Sequence, residues 1–334
     1  MNCCTSLLNL IRLAPGWKIV SYVKHGYPTD ITGVACFDHI LARVSPACRS
    51  VYSKAEMIDF CRENPDTIVV TDNHLSLDVP ASTRCIIVHH GIAKLHGERD
   101  PAWQRSNAEL IAGQRRMLET RQPHNTVIVS CSEFCTREFG RLYGTLYRSF
   151  RHFAVPHMSM LELYVPGLLP RSEIRDLPVV CGDWRLPHKG ADVICAVQDL
   201  LKGEFIFRQM QVTAPKPFDP RVFAARKMAF YRSCDLMLCL SSHEGNSYFV
   251  LDGLFCDLPL VTTDVGLASE IDGAVVVPWQ QAMQNPGMVA DAVRRAWRAG
   301  CRMREQYDEK WSRRLYVASM SRAVRSLSRH SDEN

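Results

Sequence analysis

The sequence predicts an α/β protein whose strands lie in parallel sheets, and two features of the chain support this. Short β-rich runs alternate with longer, helix-sized segments from one end of the chain to the other. Most of these runs are apolar throughout, as in CIIV at 85–88, rather than alternating between apolar and polar residues. Continuous apolar character is typical of strands that helices cover on both faces. The order of strands and helices therefore favours a doubly wound, Rossmann-like architecture.

Nine strands and the helices between them can be placed along the chain. The strands are predicted at 18–23, 66–70, 85–88, 126–130, 177–181, 203–207, 235–241, 259–263 and 274–278. The longer helices are predicted at 104–121, 132–143, 189–202, 221–233 and 286–304. Three prolines and a glycine in 154–176 indicate a linker between two domains. We expect domains at 1–160 and 177–304, followed by a basic helical tail at 305–334.

Composition excludes several classes of protein. The 334 residues are 46% hydrophobic and 22% charged, which is typical of a globular chain of two domains. No apolar run approaches the roughly 18 residues that a membrane helix needs, and the start lacks a basic leader, so we expect a cytoplasmic protein. The 14 cysteines are scattered without a C-x-x-C pair, which favours buried free thiols over a metal site or disulfides.

The segment 234–271 carries the strongest functional signal. The chain contains neither G-x-G-x-x-G after a strand nor a P-loop motif, so another element must hold any bound phosphate. This segment contains a strand, the polar turn SSHEGNS, a short helix YFVLDGLF, a second strand and a second turn. Free N–H groups at the start of such a helix, together with its dipole, form an anion site.

Five residues of this segment are candidates for ligand binding. Gly245 allows the backbone to approach a ligand closely, and Asn246 and Ser247 lie at the helix start. Glu244 precedes the helix, and Asp252 follows eight residues later. The two carboxylates can therefore reach different parts of one elongated ligand.

These residues resemble the donor-site signature of GT-B-fold glycosyltransferases. The resemblance is to the large retaining family, glycosyl transferases group 1, that includes sucrose synthases and phosphatidylinositol mannosyltransferases. Its pattern is S-x-x-E-G, a second glutamate eight residues after the first, a proline before a strand, and a glycine turn with a glutamate. The chain supplies Ser241, Glu244, Gly245, Asp252, 258–261, Gly266 and Glu270. Asp252 departs from the family pattern, because its side chain is one methylene shorter than glutamate.

Two further stretches resemble the same family. The stretch 181–197 is similar to the start of the family's donor domain, where a strand leads to a basic residue and then to K-G at a helix start. Arg185 and Lys189 match the cations that the family places on the nucleotide diphosphate. The stretch 125–144 resembles the last strand and helix of the family's first domain, with Ser132 as a predicted N-cap.

The resemblance implies a GT-B fold, in which two Rossmann-like domains face each other across a cleft. It implies transfer of a sugar from a nucleotide-diphosphate sugar, here taken as UDP-type, to a hydroxyl of a carbohydrate or lipid-linked glycan. The transfer would retain the anomeric configuration and need no metal or other cofactor, in agreement with the lack of a D-x-D motif. Arg185, Lys189 and the helix start at 246–247 would stabilise the leaving diphosphate. Glu244 would act catalytically near the reacting carbon, and Asp252 would bind the ribose.

The acceptor side is expected in the first domain. His89 and His90 follow directly from a predicted strand, where ligands gather in open α/β sheets. A neutral imidazole can orient a hydroxyl or accept a proton near pH 7, and His90 is the predicted catalytic histidine. His89, His25 and Asp30 are the other acceptor-side candidates. A histidine that is merely packed at a strand end remains an open alternative.

The basic tail leaves the partner open. From Arg294 to Arg329 there are eleven lysines and arginines and three acids. This segment is either a solvated helical face that crosses back to the first domain or a contact for DNA or an anionic membrane surface. A phage-type transferase acting on hydroxymethylated pyrimidines in DNA is therefore one alternative function. A non-catalytic GT-B-like binding protein is another, because of Asp252. The sequence leaves the oligomeric state open.

Overall fold

The chain forms two compact units. The computed structural model describes residues 11, 17–24, 33–165, 175–213, 215, 219–300 and 302–328. The described parts of Met1–His157 and Arg313–Asn334 make up unit 1, and those of Met158–Ser312 make up unit 2. The chain therefore enters unit 2 after His157 and returns to unit 1 at Arg313, eight residues after the predicted start of the tail at 305.

Unit 1 is built on a six-stranded parallel sheet of order β2-β1-β3-β4-β5-β6. The strands are β1 Lys18–Tyr22, β2 Cys48–Val51, β3 Thr67–Asp72, β4 Arg84–His89, β5 Thr126–Ser130 and β6 Arg151–Ala154. The four central strands confirm the predicted runs. The edge strands β2 (CRSV) and β6 (RHFA) were not predicted, because an edge strand is covered less completely and keeps polar residues.

Helices cover both faces of this sheet. They are α1 Gly33–Val44, α2 Lys54–Glu63, α3 Ala93–Arg99, α4 Pro101–Ser106, α5 Ala108–Thr120 and α6 Glu133–Arg148, with a 3₁₀ turn at Asn73–Asp78. The predicted N-cap of α6 is confirmed, since the hydroxyl of Ser132 accepts the backbone N–H of Cys135 at 3.2 Å. The core between sheet and helices includes Val69, Ile87 and Phe139, all fully buried.

Unit 2 is built on a five-stranded parallel sheet of order β11-β10-β9-β7-β8. The strands are β7 Val179–Gly182, β8 Ile206–Gln209, β9 Leu236–Cys239, β10 Leu260–Thr263 and β11 Val275–Val277. All five were predicted, but β8 begins three residues later than expected. The chain first makes a turn after residue 200, where Gly203 has a left-handed φ of 83°, and this turn takes up the start of the predicted run.

The helices of unit 2 are α7 Leu161–Tyr164, α8 Ala191–Leu200, α9 Pro220–Arg232, α10 Tyr248–Phe255, α11 Trp279–Gln284, α12 Pro286–Ala299 and α13 Met303–Lys310, with 3₁₀ turns at Pro187–Lys189 and Gly266–Glu270. The predicted helix at 286–304 is two helices. Gly300, with φ of 56°, ends α12 in the left-handed conformation that lets the last carbonyls find partners. α13 then packs Tyr307 into the core beside Phe255.

The last described helix, α14 Arg313–Ser328, belongs to unit 1. It buries Tyr316 and Met320, and the Arg151 guanidinium of β6 donates to the carbonyl of Ser326. Arg314 and Arg322 lie on its exposed side. No helix among the described residues is both long enough and apolar enough to cross a bilayer.

Candidate functional site

The candidate site of unit 2 lies at the carboxyl ends of its central strands. β8 pairs with one side of β7 and β9 with the other, so the strand order reverses between β7 and β9. In open parallel sheets, ligands bind outside the carboxyl ends of the strands at such a reversal. The loops that follow β7 and β9 carry every predicted donor-site residue except Asp252, which lies on the next helix.

A glycine allows the loop after β7 to lie against the residue that follows β9. Gly190 has φ of 87°, and a Cβ at this position would lie 2.6 Å from the Cβ of Leu240, just after β9. Only glycine lets the loop lie this close to β9. The loop therefore places Lys189 directly beside the turn that follows β9.

Lys189 and Glu244 meet at the reversal point. The Lys189 ammonium forms a salt bridge with the Glu244 carboxylate, and the hydroxyl of Ser241 donates to the same carboxylate at 3.0 Å. The lysine side chain is 22% exposed and that of the glutamate 16%. Although burial opposes it, the charge of Glu244 raises the pKa of Lys189 above its ordinary value. The site therefore holds a charged ammonium that is only partly hydrated.

Strand β10 and the loop that follows it contact the turn formed by Ser241–Ser247. The hydroxyl of Thr263 donates to the carbonyl of Ser241 at 2.5 Å. Gly266 has φ of 56°, and a Cβ there would lie 3.1 Å from the Cβ of Glu244 and 3.2 Å from the carbonyl oxygen of Gly245. Strand β10 and the two loops that follow β7 and β10 thus fix the position of the 241–247 turn.

Helix α10 begins directly after this turn. Ser247 is its N-cap, and its side chain makes no capping hydrogen bond. The N–H groups of the first turn have no partner within a helix, and the helix dipole adds positive potential there. The geometry brings Lys189, Glu244 and this helix start together, with Gly245 and Asn246 in the connecting turn.

A histidine pair that the sequence reasoning missed joins the same two loops. The rings of His188 and His243 are stacked with centroids 5.0 Å apart. The backbone N–H of Ser242 donates to the carbonyl of His188 at 2.8 Å, and the hydroxyl of Ser242 lies 2.8 Å from Nδ1 of His243. Each histidine directly precedes one member of the Lys189–Glu244 pair, and adjacency in sequence to the predicted residues was the only available signal.

Arg185 does not join this cluster in the structure. Its guanidinium pairs with Asp183 at 2.8 Å, and its side chain is 58% exposed. An exposed pair of this kind contributes about 0–1 kcal/mol. It therefore offers little resistance to a rotation of the guanidinium towards a bound anion.

Asp252 lies in a different setting from the one predicted. Its carboxylate is fully buried, with the Ser159 hydroxyl on Oδ1 at 2.5 Å and the Lys227 ammonium on Oδ2. A carboxylate enclosed in this way presents no edge to a ribose. The sequence contained no sign of this, since Ser159 is 93 residues away.

In unit 1, the two predicted strand-end histidines have different surroundings. His89 is fully buried and stacked on Phe139 with centroids 3.8 Å apart, which is the packed-histidine alternative. His90 is partly exposed, and its ring lies edge-on to Phe37 and His157 at 5.3 Å each. Burial lowers the pKa of both His89 and His90 to about 3, so both rings are neutral at pH 7. The other acceptor-side candidates, His25 and Asp30, lie outside the described residues.

A glutamine clamp next to His90 was also missed. Gln114 of α5 is buried, and its amide donates to Oδ1 of Asn73 at 3.0 Å and to the carbonyl of Gly91 at 2.9 Å. Its carbonyl accepts the N–H of Ala93 at 2.9 Å. The clamp joins the loops after β3 and β4. Nothing in the helical pattern of α5 marks Gln114 for this role.

Asp72, at the end of β3, is a further candidate that was not singled out. Its carboxylate accepts the amide of Asn73 at 2.6 Å, and burial raises its pKa to about 7. Asn73 has a positive φ of 26°, which is uncommon for a residue with a side chain. A carboxyl that titrates near neutral pH at the carboxyl end of a strand is typical of a functional site.

No family model and no curated protein matches this sequence. Solved structures do match it across almost the whole chain. Sucrose-phosphate synthase from Thermosynechococcus elongatus aligns with a TM-score of 0.72 and 13% identity, covering 94% of this chain and 100% of that one. WaaG, a glycosyltransferase involved in lipopolysaccharide biosynthesis, aligns with a TM-score of 0.61 and 14% identity over 92% and 99% of the two chains. HepE from Anabaena, solved in complex with UDP-glucose, aligns with a TM-score of 0.61 and 13% identity over 94% and 99%.

These matches define the class of the fold. The two parallel sheets, of six and five strands, are those of a GT-B protein, and the predicted fold class is confirmed. The predicted resemblance is confirmed as a similarity of fold, since the matched structures include glycosyltransferases. At 13–14% identity the similarity establishes the fold.

Proposed function

We propose that the protein is a glycosyltransferase that uses a nucleotide-diphosphate sugar, of the UDP type, as its donor. The observation that carries the proposal is the Lys189–Glu244 pair at the strand reversal, beside the start of α10. Breaking the bond between a sugar and a diphosphate leaves negative charge on the phosphate, and groups already oriented towards that charge lower the barrier. The structural similarity to HepE, solved with UDP-glucose, supports the choice of donor.

The cations of the site act on the leaving group. A bound diphosphate competes with Glu244 for the Lys189 ammonium, and the N–H groups at the start of α10 donate to its oxygens. Arg185 lies exposed in the loop after β7, and once released from Asp183 it provides a second cation for the diphosphate. Because these groups supply positive charge to the diphosphate, we propose that transfer proceeds without a metal ion.

Glu244 acts on the sugar. Once Lys189 pairs with phosphate, the carboxylate keeps the hydrogen bond from Ser241 and accepts hydrogen bonds from sugar hydroxyls near the reacting carbon. The bond from the anomeric carbon to the phosphate oxygen breaks and the bond to the acceptor oxygen forms, while the acceptor's proton leaves with the diphosphate. We propose retention of configuration, as the resemblance to the retaining family implies.

The acceptor is a hydroxyl of a carbohydrate or a lipid-linked glycan, and the proposed contact in unit 1 is His90. The residue is partly exposed and its imidazole is neutral at pH 7, so the ring can exchange hydrogen bonds with a hydroxyl. His25 and Asp30 remain proposals from the sequence. His89 stacks on Phe139 in the core, so we assign it a packing role at the end of β4 and no contact with the acceptor.

A thermal-shift series tests the donor. UDP and UDP-sugars are expected to raise the melting temperature more than GDP and ADP and their sugars, because a ligand that binds only the folded state stabilises it. EDTA is expected to leave both the shift and the transfer unchanged. Glu244→Gln is expected to abolish transfer, whereas Glu56→Gln, at an exposed ion pair in unit 1, is the matched control and should leave transfer unchanged. Binding without turnover or hydrolysis, unaffected by Glu244→Gln, would instead support the binding-protein alternative.

An acceptor panel tests the other alternative. The exposed arginines of α14, a helix without acidic residues, are the feature that favours DNA. With labelled donor, we expect the label on oligosaccharide or lipid-linked acceptors and none on hydroxymethylated duplex DNA. Label on the DNA alone would replace the carbohydrate acceptor with a nucleic acid.

A further inference from the structure

A buried polar network surrounds Asp252. The Ser159 hydroxyl donates to its Oδ1, and Lys227 of α9 forms an ion pair with its Oδ2. Asp252 and Ser159 are both fully buried, and the Lys227 side chain is 16% exposed. Removing one partner from such a group is costly, because the charge that remains is neither hydrated nor paired.

The network continues from Ser159 to α13. The backbone N–H of Ser159 donates to the hydroxyl of Tyr307 at 2.8 Å, and that hydroxyl donates to Oε2 of Glu162 at 2.8 Å. The N–H of Leu161 donates to the Ser159 hydroxyl at 3.0 Å. Asp252 thus stands at one end of a continuous chain of hydrogen bonds that runs through 159–162 to Tyr307.

The members of this network lie close in sequence to both points where the chain passes between the units. Ser159 is the second residue of unit 2, and Tyr307 lies five residues before its last, Ser312. Asp252 connects them to α10, whose N-cap is Ser247. At a rise of 1.5 Å per residue, Asp252 lies about 7.5 Å along the helix axis from that N-cap. One short helix therefore begins at the 241–247 turn and is anchored to both chain connections.

We propose that Asp252 is a positioning residue: it anchors α10, and with it the 241–247 turn, to the two chain connections of unit 2, and it does not bind the donor's ribose. Its catalytic consequence rests on the proposed function, whereas the anchoring is a property of the fold alone. Without the carboxylate, α10 is free to shift relative to Lys189, which a different loop carries. Small misplacements of this kind cost more in the transition state than in the bound donor.

Hydrogen exchange tests the anchoring without any donor. Asp252→Asn and Ser159→Ala are each expected to speed exchange at the backbone amides of residues 159 and 161 by about tenfold or more, as loss of a hydrogen bond to a charged group implies. Peptides of unit 1 are expected to exchange as before. Asp272→Asn, which neutralises a carboxylate that is 82% exposed, is the matched control. Unchanged exchange in both variants overturns the anchoring, whatever the protein's activity.

Nucleotide binding separates positioning from a ribose contact. We expect Asp252→Asn to bind UDP, 2′-deoxy-UDP and 3′-deoxy-UDP with the same preferences as the wild type, and to lose about tenfold in kcat with KM for the donor little changed. Ser159→Ala should lose kcat in the same way, and the double variant should be no worse than Asp252→Asn alone, because both act through one contact. Loss of the preference for the intact ribose in Asp252→Asn overturns the proposal.

For Asp252→Glu, a ribose contact and a positioning role predict opposite results. A ribose-binding acid tolerates the longer side chain, which is also the residue that the family resemblance would place there. In a fully buried site there is no room for the extra methylene, so the longer side chain should displace Ser159. We therefore expect kcat to fall as it does in Asp252→Asn. Wild-type turnover in Asp252→Glu overturns the proposal. If no nucleotide binds the wild type, the proposed function fails while hydrogen exchange still decides the anchoring.

Discussion

Lys189 combines low exposure with full charge. Its ammonium is balanced by one carboxylate, that of Glu244, which raises the pKa of Lys189 in spite of the burial that opposes it. The raised pKa means that the ammonium stays protonated throughout the physiological range. A cation that is poorly hydrated and already in place needs little reorganisation when a phosphate replaces its partner.

Replacing this cation is the first prediction at the residue scale. Lys189→Met is expected to lower kcat/KM by about 10²-fold, which is typical of removing one oriented donor to a developing charge. Arg185→Met is the comparison, and its effect should be smaller, because Arg185 is exposed and paired elsewhere. Steady-state kinetics with a UDP-sugar measures both. Equal losses in the two variants would contradict the central place given to Lys189.

The second residue-scale prediction concerns acid stability. Burial lowers the pKa of His89 to about 3 in the folded protein, whereas it is about 6.5 in the unfolded chain. Between these two pH values His89 is therefore protonated in the unfolded chain and neutral in the folded protein. Stability should therefore fall with pH from about 6.5 towards 3, by about 1.4 kcal/mol per pH unit for each such histidine.

His89→Leu should make this dependence shallower. Urea unfolding at pH 7.5, 6.0 and 5.0 measures the slope, and His124→Leu, at an exposed histidine, is the control. A slope in His89→Leu equal to that of the wild type would show that the buried ring does not set the acid sensitivity.

At the scale of elements, the loops of the candidate site in unit 2 contain two glycines with positive φ, Gly190 and Gly266. Both lie where a Cβ would press against the neighbouring loop. Gly300, at the end of α12, has the same φ of 56° as Gly266, but a Cβ there would meet no atom within 4 Å among the described residues. Gly266 and Gly300 together therefore separate backbone strain from steric contact.

The element-scale prediction compares these two glycines. Gly266→Ala and Gly300→Ala should each cost about 1–2 kcal/mol of stability from the left-handed backbone. Only Gly266→Ala should also weaken UDP binding, because its Cβ would press on Glu244 and Gly245. Thermal unfolding and calorimetry of UDP binding provide the two readouts. Weaker UDP binding in Gly300→Ala would point to general destabilisation instead.

The central strands and the helices α5, α6, α8, α9, α10 and α12 were predicted from sequence, whereas α1, α2 and the edge strands of the sheet in unit 1 were not. β4 and β5 are buried on both faces and therefore apolar through most of their length. β2 and β6 have no fully buried stretch of this kind, and their four-residue runs look like loops. The helix α10 was predicted with its observed bounds, because a polar turn and a Pro-containing turn enclose it.

At the scale of the whole molecule, α14 is covalently continuous with unit 2 but packs in unit 1. Its buried face includes Tyr316, Met320 and Val324. Arg314, Arg322 and the other exposed arginine, Arg325, lie away from that face. One face of the helix therefore belongs to the core of unit 1, and the exposed arginines lie on the opposite, solvated face.

Truncation after Ser312 tests this assignment. Deleting α14 should destabilise unit 1, because it uncovers several fully buried side chains, each worth about 1.5–3 kcal/mol. Hydrogen exchange should rise in unit 1 and remain as before in unit 2. Arg314→Gln with Arg322→Gln, which keeps the buried face, is the control and should leave the stability of unit 1 nearly unchanged. Equal exchange in the truncated and full-length chains would contradict the structural role.

The sequence by itself determined the α/β class, the central strands, α10 and the group of residues around Glu244. Those features arise from burial patterns, turns and caps that extend over a few neighbouring residues. Only the tertiary structure decided that Lys189 meets Glu244, that His89 packs in the core and that Asp252 faces Ser159. The reason is physical: Lys189 and Glu244 are 55 residues apart and Ser159 and Asp252 are 93 apart. The packing of whole helices and strands, rather than any local pattern, brings such partners into contact.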